Sequence, residues 1–203
     1  MKGKFITFEG SEGSGKSTQA RLLYQHLKAK GKNVLFIREP GGVKISEVIR
    51  EVLLDVHNDN MTKECETLLY MAARSQLVYE VIAPALKAGK IVICDRFLDS
   101  TVAYQGYGNG VDIKFIEQLG QFVTDGIKPN LTFIMDLNTA HGLSRTGKNK
   151  DRIEQRAVSY HNRVRKGYLA IARQEPDRVK VIDARGRRME IQDKILGFVD
   201  TIL

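Results

Sequence analysis

Gly10-Ser11-Glu12-Gly13-Ser14-Gly15-Lys16-Ser17 is the stretch that decides the fold of this chain. It fits the pattern G-x-x-x-x-G-K-[ST], in which backbone N–H groups surround a phosphate. Glycine adopts backbone angles that other residues avoid and lets the main chain approach a ligand closely. The positive end of the following helix adds to the attraction for an anion. We therefore predict a nucleotide site over residues 10–17, rather than an ordinary glycine-rich turn.

The last residues of this loop have separate expected roles. Lys16 is expected to reach the β- and γ-phosphates, and the Ser17 hydroxyl is expected to hold Mg²⁺. Thr18 follows directly and completes the predicted ATP-binding set, to which every residue of the loop belongs.

The segments around the loop predict the secondary structure that such a site requires. Residues 4–8 are β-branched and aromatic, as in a strand, whereas Ala20, Leu23 and Leu27 recur at helical spacing. Further apolar segments predict strands at 33–37, 91–94, 131–135 and 179–182. Apolar strands that alternate with helices are typical of a parallel sheet covered on both faces. We predict an α/β protein with a five-stranded parallel sheet in three layers, as one domain over residues 1–203.

Three further helices are predicted from their apolar spacing. The first is expected to bury Ile45, Ile49, Val52 and Leu53. The second, over residues 64–84, is expected to bury Leu69, Ala72, Ala73, Leu77 and Val81. The third follows residue 151, and its expected apolar stripe is Ile153, Ala157, Tyr160, Val164, Tyr168 and Ile171.

Composition limits the class of protein. The 203 residues carry a net charge of +8, with 42% hydrophobic and 28% charged residues, as in a globular protein. No apolar run is long enough to span a bilayer, and the first strand leaves no room for a signal peptide, so we expect a cytoplasmic protein. Cys65 and Cys94 have no metal-ligand spacing and are expected to be buried free thiols. The positive charge has two interpretations, a nucleic-acid surface or a site for several phosphates.

Asp95 and Arg96 follow the predicted strand at 91–94. A phosphoryl-transfer site needs a second group that holds Mg²⁺, commonly an aspartate at the end of an apolar strand. We predict that role for Asp95 and expect Arg96 to face the same cleft. The alternative is a surface ion pair between the two.

Residues 95–106, Asp-Arg-Phe-Leu-Asp-Ser-Thr-Val-Ala-Tyr-Gln-Gly, resemble the thymidylate kinase signature D-R-[YF]-x-x-S-[SN]-x-A-Y-Q. The resemblance extends to the segments Phe8-Glu9-Gly10, Arg38-Glu39-Pro40-Gly41-Gly42, 68–74 and 151–155, in the family's order and spacing. It implies a P-loop NTPase fold and transfer of the γ-phosphate of ATP to dTMP. Mg²⁺ and a homodimeric assembly are also implied.

The resemblance also assigns residues to the acceptor site. Arg38 and Arg96 match the arginines that clamp the acceptor phosphate, and Glu9 matches an acidic residue near the sugar 3′-hydroxyl and that phosphate. Tyr70 stands where the family usually has a phenylalanine stacked on thymine. The remaining residues matched to the nucleoside are Arg74, Ser100, Thr101 and Gln105.

Residues 142–152 match the lid that closes over ATP. Arg145 and Arg152 are the candidate catalytic cations, with Lys148 a weaker third, because the phosphate loop itself contains no arginine. Arg185 matches the loop that borders adenine. Two alternatives stay open, a kinase for another acceptor such as dUMP or a deoxynucleoside, and a nucleic-acid-dependent ATPase. Arg38 and Arg96 favour an acceptor that already carries phosphate, and nothing resembles a nucleic-acid-binding module.

Overall fold

The protein is built on one five-stranded sheet. The computed structural model describes residues 3–147 and 150–203. All strand pairs are parallel, and the strands lie in the order β2-β3-β1-β4-β5. The strands are β1 (Lys4–Glu9), β2 (Val34–Arg38), β3 (Ile91–Asp95), β4 (Leu131–Asp136) and β5 (Val179–Asp183). The predicted sheet is confirmed, and each observed strand runs one residue further than its apolar pattern.

That extra residue is polar or charged in every strand, and all five lie at the carboxyl edge of the sheet. The register pairs Arg38 with Asp95, and Asp95 with Phe8, so β1, β2 and β3 end level with one another. Successive strands leave β1 on one side and then on the other, which opens a crevice at this edge. The charged residues of the predicted site are therefore gathered at one end of the sheet.

Helices cover both faces of the sheet. They are α1 (Lys16–Ala29), α2 (Lys44–Leu54), α3 (Lys63–Leu77), α4 (Ala83–Lys87), α5 (Leu98–Thr101), α6 (Ile113–Val123), α7 (Thr139–Ser144), α8 (Val158–Gln174) and α9 (Arg188–Val199). Two π-helical segments, Val78–Ile82 and Val102–Gly108, connect α3 to α4 and extend α5.

Side chains alternate across the strands and supply two cores. Ile6 and Phe8 of β1 point to the face covered by α1 and α9, where Leu23 and Ile195 are fully buried. Phe5 points to the opposite face, which carries α3 and α8 and the π-helical segments. Both faces of the sheet are therefore apolar.

Several helix predictions need correction. Helix α8 begins at Val158, because Ile153 lies in a turn stabilised by Asp151 and Ala157 caps the helix. In α3 the buried face is shifted, so that Ala72 is exposed and Arg74 is buried.

Apolar residues of α2 and one cysteine also differ from expectation. Ile45 and Val52 are exposed, whereas Leu53 is buried. Cys65 is exposed and Cys94 is buried. The spacing of apolar residues predicts a helix, but it does not show which of those residues are buried in the core and which lie on the surface. Within the described part of the chain, no helix combines the length and apolar character that crossing a bilayer requires.

Candidate active site

The glycine loop adopts the geometry that its sequence predicts. Gly10, Gly13 and Gly15 have φ values of 140°, 65° and 86°, a region that side chains other than glycine rarely adopt. Gly15 caps α1, so the helix begins at Lys16, and its first turn contains no acidic residue. The positive end of α1 therefore faces the loop without a competing carboxylate, as an anion site requires.

Helix α7 packs directly on this loop through Gly142. A Cβ atom placed on Gly142 would lie 2.3 Å from the Glu12 carbonyl oxygen, and one on Gly13 would lie 2.0 Å from the Gly142 oxygen. Two glycines therefore allow the start of the predicted lid to contact the backbone of the phosphate loop.

A cavity of about 310 Å³ opens at the carboxyl edge of the sheet, between the phosphate loop, α2, α3 and α5. Lys16 and Ser17 line one part of it. The arginines that line it are Arg21, Arg38, Arg50, Arg74 and Arg96. A cavity with this many guanidinium groups beside a phosphate loop suits a ligand that carries several phosphates.

Arg96 lies at the centre of the cavity wall. Its φ is 72°, an uncommon backbone conformation for a residue with a side chain. Its guanidinium donates to the Glu12 carboxylate at 2.7 Å, to the Gly10 carbonyl at 3.2 Å, and to the hydroxyls of Tyr104 and Tyr168 at 3.1 Å each. Arg96 thus joins β3, the phosphate loop and α8.

Glu12 presents a carboxylate to the same cavity. It pairs with Arg96 at 2.7 Å and with the Lys16 ammonium at 3.8 Å, and it accepts a hydrogen bond from the Tyr104 hydroxyl. Burial works to raise its pKa, but Arg96 and Lys16 outweigh burial and lower the pKa of Glu12 to about 2. Glu12 is therefore an anion that lies between the cations of Lys16 and Arg96 and offsets the repulsion between them.

Glu9 lies behind the cavity wall and does not line it. Its carboxylate accepts hydrogen bonds from the Phe97 amide at 2.7 Å, the Ser100 hydroxyl at 2.5 Å and the Tyr168 hydroxyl at 3.0 Å. Burial, and next the neighbouring charge of Asp99, outweigh these donors and raise the pKa of Glu9 to about 7. Its predicted contact with the substrate stays a prediction, because Ser100 separates it from the cavity.

Arg38 and Arg50 line the cavity from β2 and α2. Arg38 donates to both oxygens of Glu47, at 2.9 and 3.1 Å, and to the Pro40 carbonyl. Arg50 donates to that same carbonyl at 3.0 Å. The two guanidinium groups therefore lie side by side.

The part of the cavity that the family resemblance assigns to the nucleoside is formed by α3, α5 and the π-helical segment that follows α5. Tyr70, Arg74, Ser100, Thr101 and Gln105 all line it, as the family resemblance implies. Arg74 is buried, ion-paired with Glu39 at 2.8 Å and hydrogen-bonded to the Thr101 hydroxyl at 3.0 Å. The structure brings these five side chains together, and their contacts with a nucleoside stay predictions.

Asp95 and Ser17 are the residues predicted to hold Mg²⁺. Both line the cavity, and the buried Oδ1 of Asp95 has no hydrogen-bond partner among the described residues. A carboxylate with an unused buried oxygen, in a cavity that a hydroxyl also lines, suits a hard cation that keeps most of its ligands from water and phosphate. Residues 3–147 and 150–203 contain no cluster of three His, Cys, Asp or Glu side chains that could hold a metal by themselves.

The two predicted lid arginines have different environments. Arg145 is exposed at the end of α7, three residues after Gly142. Arg152 is buried, paired with Glu66 at 2.7 Å and donating to the Leu53 carbonyl at 2.9 Å, and it does not line the cavity. Lys148 lies outside the described residues.

Arg185, the predicted neighbour of adenine, follows β5 on the surface. Its guanidinium pairs with Asp183 at 2.7 Å, and it does not line the cavity. Its contact with adenine stays a prediction.

The structure adds residues that the sequence analysis did not assign to the site. Arg50 lines the cavity, and Tyr104 and Tyr168 bind Arg96. Arg50 could have been identified from the sequence, because it is a cation that directly follows Ile49 on the buried side of a predicted helix. Tyr168 gave none, because a tyrosine in an apolar stripe is indistinguishable from an ordinary core residue.

Comparison with known proteins agrees with this geometry. The thymidylate kinase family model matches residues 8–195. A thymidylate kinase of Symbiobacterium thermophilum is 48% identical over 98% of this chain and 94% of its own, and one of Pelotomaculum thermopropionicum is 45% identical over 100% and 95%. The crystal structure of thymidylate kinase from Ehrlichia chaffeensis matches with a TM-score of 0.81 at 35% identity, covering 98% of this chain and 99% of that one.

Proposed function

Because the chain belongs to the thymidylate kinase family, it transfers a phosphoryl group from ATP to dTMP, and we propose how its residues divide this work. The observation that carries the proposal is that the phosphate loop lines one cavity together with Arg38 of β2, Arg50 of α2 and Arg96, which directly follows β3. Two anionic nucleotides can then meet end to end inside it, with cations on both sides.

ATP binds with its phosphates on the loop of residues 10–17. The N–H groups of the loop and the first turn of α1 surround the phosphate oxygens, and the Lys16 ammonium lies at the reacting end. Burial, with Arg96 adding to it, lowers the pKa of Lys16, while Glu12 opposes this. The ammonium is thus held in a dry site, where its charge acts more strongly than in water.

dTMP binds with its phosphate between Arg38, Arg50 and Arg96. A guanidinium presents a planar set of donors that matches phosphate oxygens, and the charge on these groups offsets repulsion between the two substrates. To bind dTMP, Arg38 and Arg96 exchange contacts with Glu47 and Glu12 for contacts with phosphate. Catalysis then consists mainly of alignment and of stabilising charge on the transferring oxygens.

Asp95 and Ser17 are the residues that would hold Mg²⁺ beside Lys16. The bound ion supplies further positive charge on the phosphate oxygens. Asp95 provides the unused carboxylate oxygen described above, and Arg96 next to it provides a cation for the acceptor.

Arg145 is the better candidate for the catalytic lid cation. Its exposed side chain follows a helix that contacts the phosphate loop, whereas the Arg152 guanidinium is committed to Glu66 and Leu53. Arg145→Ala should therefore lower kcat about 100-fold with little change in KM, as expected for a contact made in the transition state. Arg152→Ala should mainly lower the melting temperature. The opposite pattern would return the catalytic role to Arg152.

The protein forms a homodimer through α2, α3 and α6. Phe122 is 82% exposed, and Val48, Leu68 and Phe115 of these packed helices are also largely exposed, as is Tyr79 in the π-helical segment after α3, at 77%. An apolar patch of this kind on a monomer is unfavourable and typical of an interface. That the enzyme works in the cytoplasm stays a prediction.

The decisive assay measures ADP formation with a panel of nucleoside monophosphates and with thymidine. We expect dTMP to be the preferred acceptor. We also expect Lys16→Ala to lower kcat by a factor of at least about 1,000, while thermal unfolding of the variant stays cooperative. Arg96→Lys should lower kcat/KM for dTMP much more than it raises the KM for ATP, because lysine lacks the planar set of donors that a guanidinium presents to phosphate. Preference for thymidine, or an equal loss for both substrates, would contradict the acceptor site.

A further inference from the structure

Glu66 of α3 is a buried carboxylate that the proposed mechanism does not use. Its two oxygens serve different partners. Oε1 accepts hydrogen bonds from the side-chain amides of Gln105 and Asn109, at 2.8 Å each. Oε2 pairs with the guanidinium groups of Arg156 at 2.5 Å and Arg152 at 2.7 Å. The carboxylate is fully buried, so water does not satisfy it.

This arrangement decides which end of the Gln105 amide faces the cavity. A carboxylate only accepts hydrogen bonds, so Gln105 must turn its NH₂ group towards Glu66. Its carbonyl oxygen is then the end left for the cavity that Gln105 lines. Within residues 3–147 and 150–203, no group donates to that oxygen. The orientation follows from chemistry, although nitrogen and oxygen have the same shape here.

We propose that Glu66 is a positioning residue for base selectivity, because it makes Gln105 present an acceptor to the nucleobase. A pyrimidine with hydrogen on N3, thymine or uracil, can donate to this oxygen. Cytosine has a lone pair on N3 and would leave two acceptors facing each other, which a buried site rejects strongly. The inference rests on the proposed function and on the family resemblance, which assigns Tyr70 and Gln105 of the cavity lining to the nucleoside.

Arg152 and Arg156 explain why the carboxylate keeps this orientation. Arg152 is the last residue of the predicted lid and Arg156 lies just before α8, and both bind Oε2. Arg156 also donates to the Asn109 oxygen, so the Asn109 amide is oriented in the same sense as that of Gln105. Two cations on one oxygen leave the other oxygen to the amides.

Glu66→Gln tests the proposal because it replaces one oxygen by an NH₂ group of the same size. The remaining oxygen should turn to the two guanidinium groups, since hydrogen bonds from charged donors are about twice as strong as neutral ones. The new NH₂ group then faces the amides of Gln105 and Asn109, and because Arg156 holds the Asn109 oxygen, Gln105 is the amide that reverses and presents donors to the cavity. The kcat/KM ratio for dTMP over dCMP should fall at least about tenfold, whereas the ratio for dTMP over dUMP should stay within about twofold.

A double exchange, Glu66→Gln with Gln105→Glu, serves as the rescue. It keeps the charge and the atoms of the cluster, and it returns an acceptor to the cavity, so the preference for dTMP over dCMP should recover. Glu175→Gln is the matched control, because Glu175 also pairs with two cations but lies outside this cavity. It should leave both ratios unchanged.

The outcomes separate this inference from the function on which it rests. A purely structural role for Glu66 would lower the amount of folded enzyme and reduce kcat for all three acceptors alike. Unchanged ratios in folded Glu66→Gln would therefore overturn the inference. If that variant does not fold, the double exchange decides, and loss of dTMP preference there would overturn it. Wild-type protein without activity on dTMP would instead overturn the proposed function.

Discussion

At the residue scale, the site depends on charged groups whose environments differ sharply over a few ångströms. Glu12 and Glu9 lie on the same loop and strand end, but Glu12 faces two cations and Glu9 faces Asp99 behind the wall. The pKa of Glu12 is lowered to about 2 and that of Glu9 is raised to about 7. Burial raises the pKa of both carboxyl groups, so the difference in the direction of their net pKa shifts comes from the neighbouring charges.

The raised pKa of Glu9 has a measurable consequence for stability. Between pH 4.5, its ordinary pKa, and about pH 7, the folded state binds more protons than the unfolded state. The free energy of unfolding must therefore fall as pH rises through this range, by about 3 kcal/mol from this group. Glu9→Gln should lack this decline.

Chemical denaturation of wild type and Glu9→Gln from pH 4 to pH 8 measures the difference. Groups that do not interact with Glu9 titrate equally in both proteins and cancel. The carboxyl groups with lowered pKa values, such as Glu12 at about 2, contribute below this range, where stability rises with pH. Parallel curves would show that the pKa of Glu9 is the same in the folded and the unfolded protein.

At the element scale, the contact between α7 and the phosphate loop links the lid to the ATP site. Gly142 and Gly13 face each other with no space for another Cβ atom. Sequence analysis placed residue 142 at the start of a polar lid, but in the structure it lies in a helix. Helix α7 is short, begins at a threonine and ends at a serine, so its sequence gives only a weak periodic signal. Its helical structure therefore depends on the packing against the phosphate loop.

Gly142→Ala should push α7 away from the loop. The added methyl group would overlap the Glu12 carbonyl, so we expect a loss of about 1–3 kcal/mol in the free energy of unfolding and a higher KM for ATP. Gly197→Ala is the control, because it lies in α9 and a Cβ there meets nothing within 4 Å. That change should stabilise the protein by roughly 0.5–1 kcal/mol. Equal stabilisation by both would contradict the contact.

At the scale of the whole molecule, the exposed apolar residues divide between two sides. Most belong to α2, α3, the π-helical segment after α3, and α6, while Met189 lies on α9 at the opposite face of the sheet. Helices α2 and α3 form the side of the cavity to which the proposed function assigns dTMP. A dimer through the outer faces of these two helices would therefore support the cavity from behind. A single domain over residues 1–203 stays a prediction.

Phe122→Glu should dissociate the proposed dimer. A carboxylate at a fully desolvated apolar contact costs several kcal/mol, more than most interfaces of moderate size tolerate. Sedimentation of wild type, Phe122→Glu and the control Met189→Glu measures the effect. We expect the mass of a single chain for Phe122→Glu and the mass of a dimer for wild type and Met189→Glu. A monomeric wild type would reject the assembly, and a dimeric Phe122→Glu would place the interface elsewhere.

The sequence by itself determined the sheet, the phosphate loop and most of the residues around the cavity. Glycine angles, apolar strands and the helix after Lys16 are local properties, and parallel strands necessarily bring their carboxyl ends to one edge. The resemblance to thymidylate kinases then identified Arg38, Arg74 and Gln105, which no local pattern distinguishes from surface or core.

Only the tertiary structure decided which charges pair and which side chains face the cavity. Glu66 meets Arg152 and Arg156 from about 90 residues further along the chain, and Tyr168 reaches Glu9 across 159 positions. The same contacts moved Glu9 behind the wall and placed Arg152 in a buried ion pair. Burial and the distance between charges set these energies, and both depend on how distant segments pack.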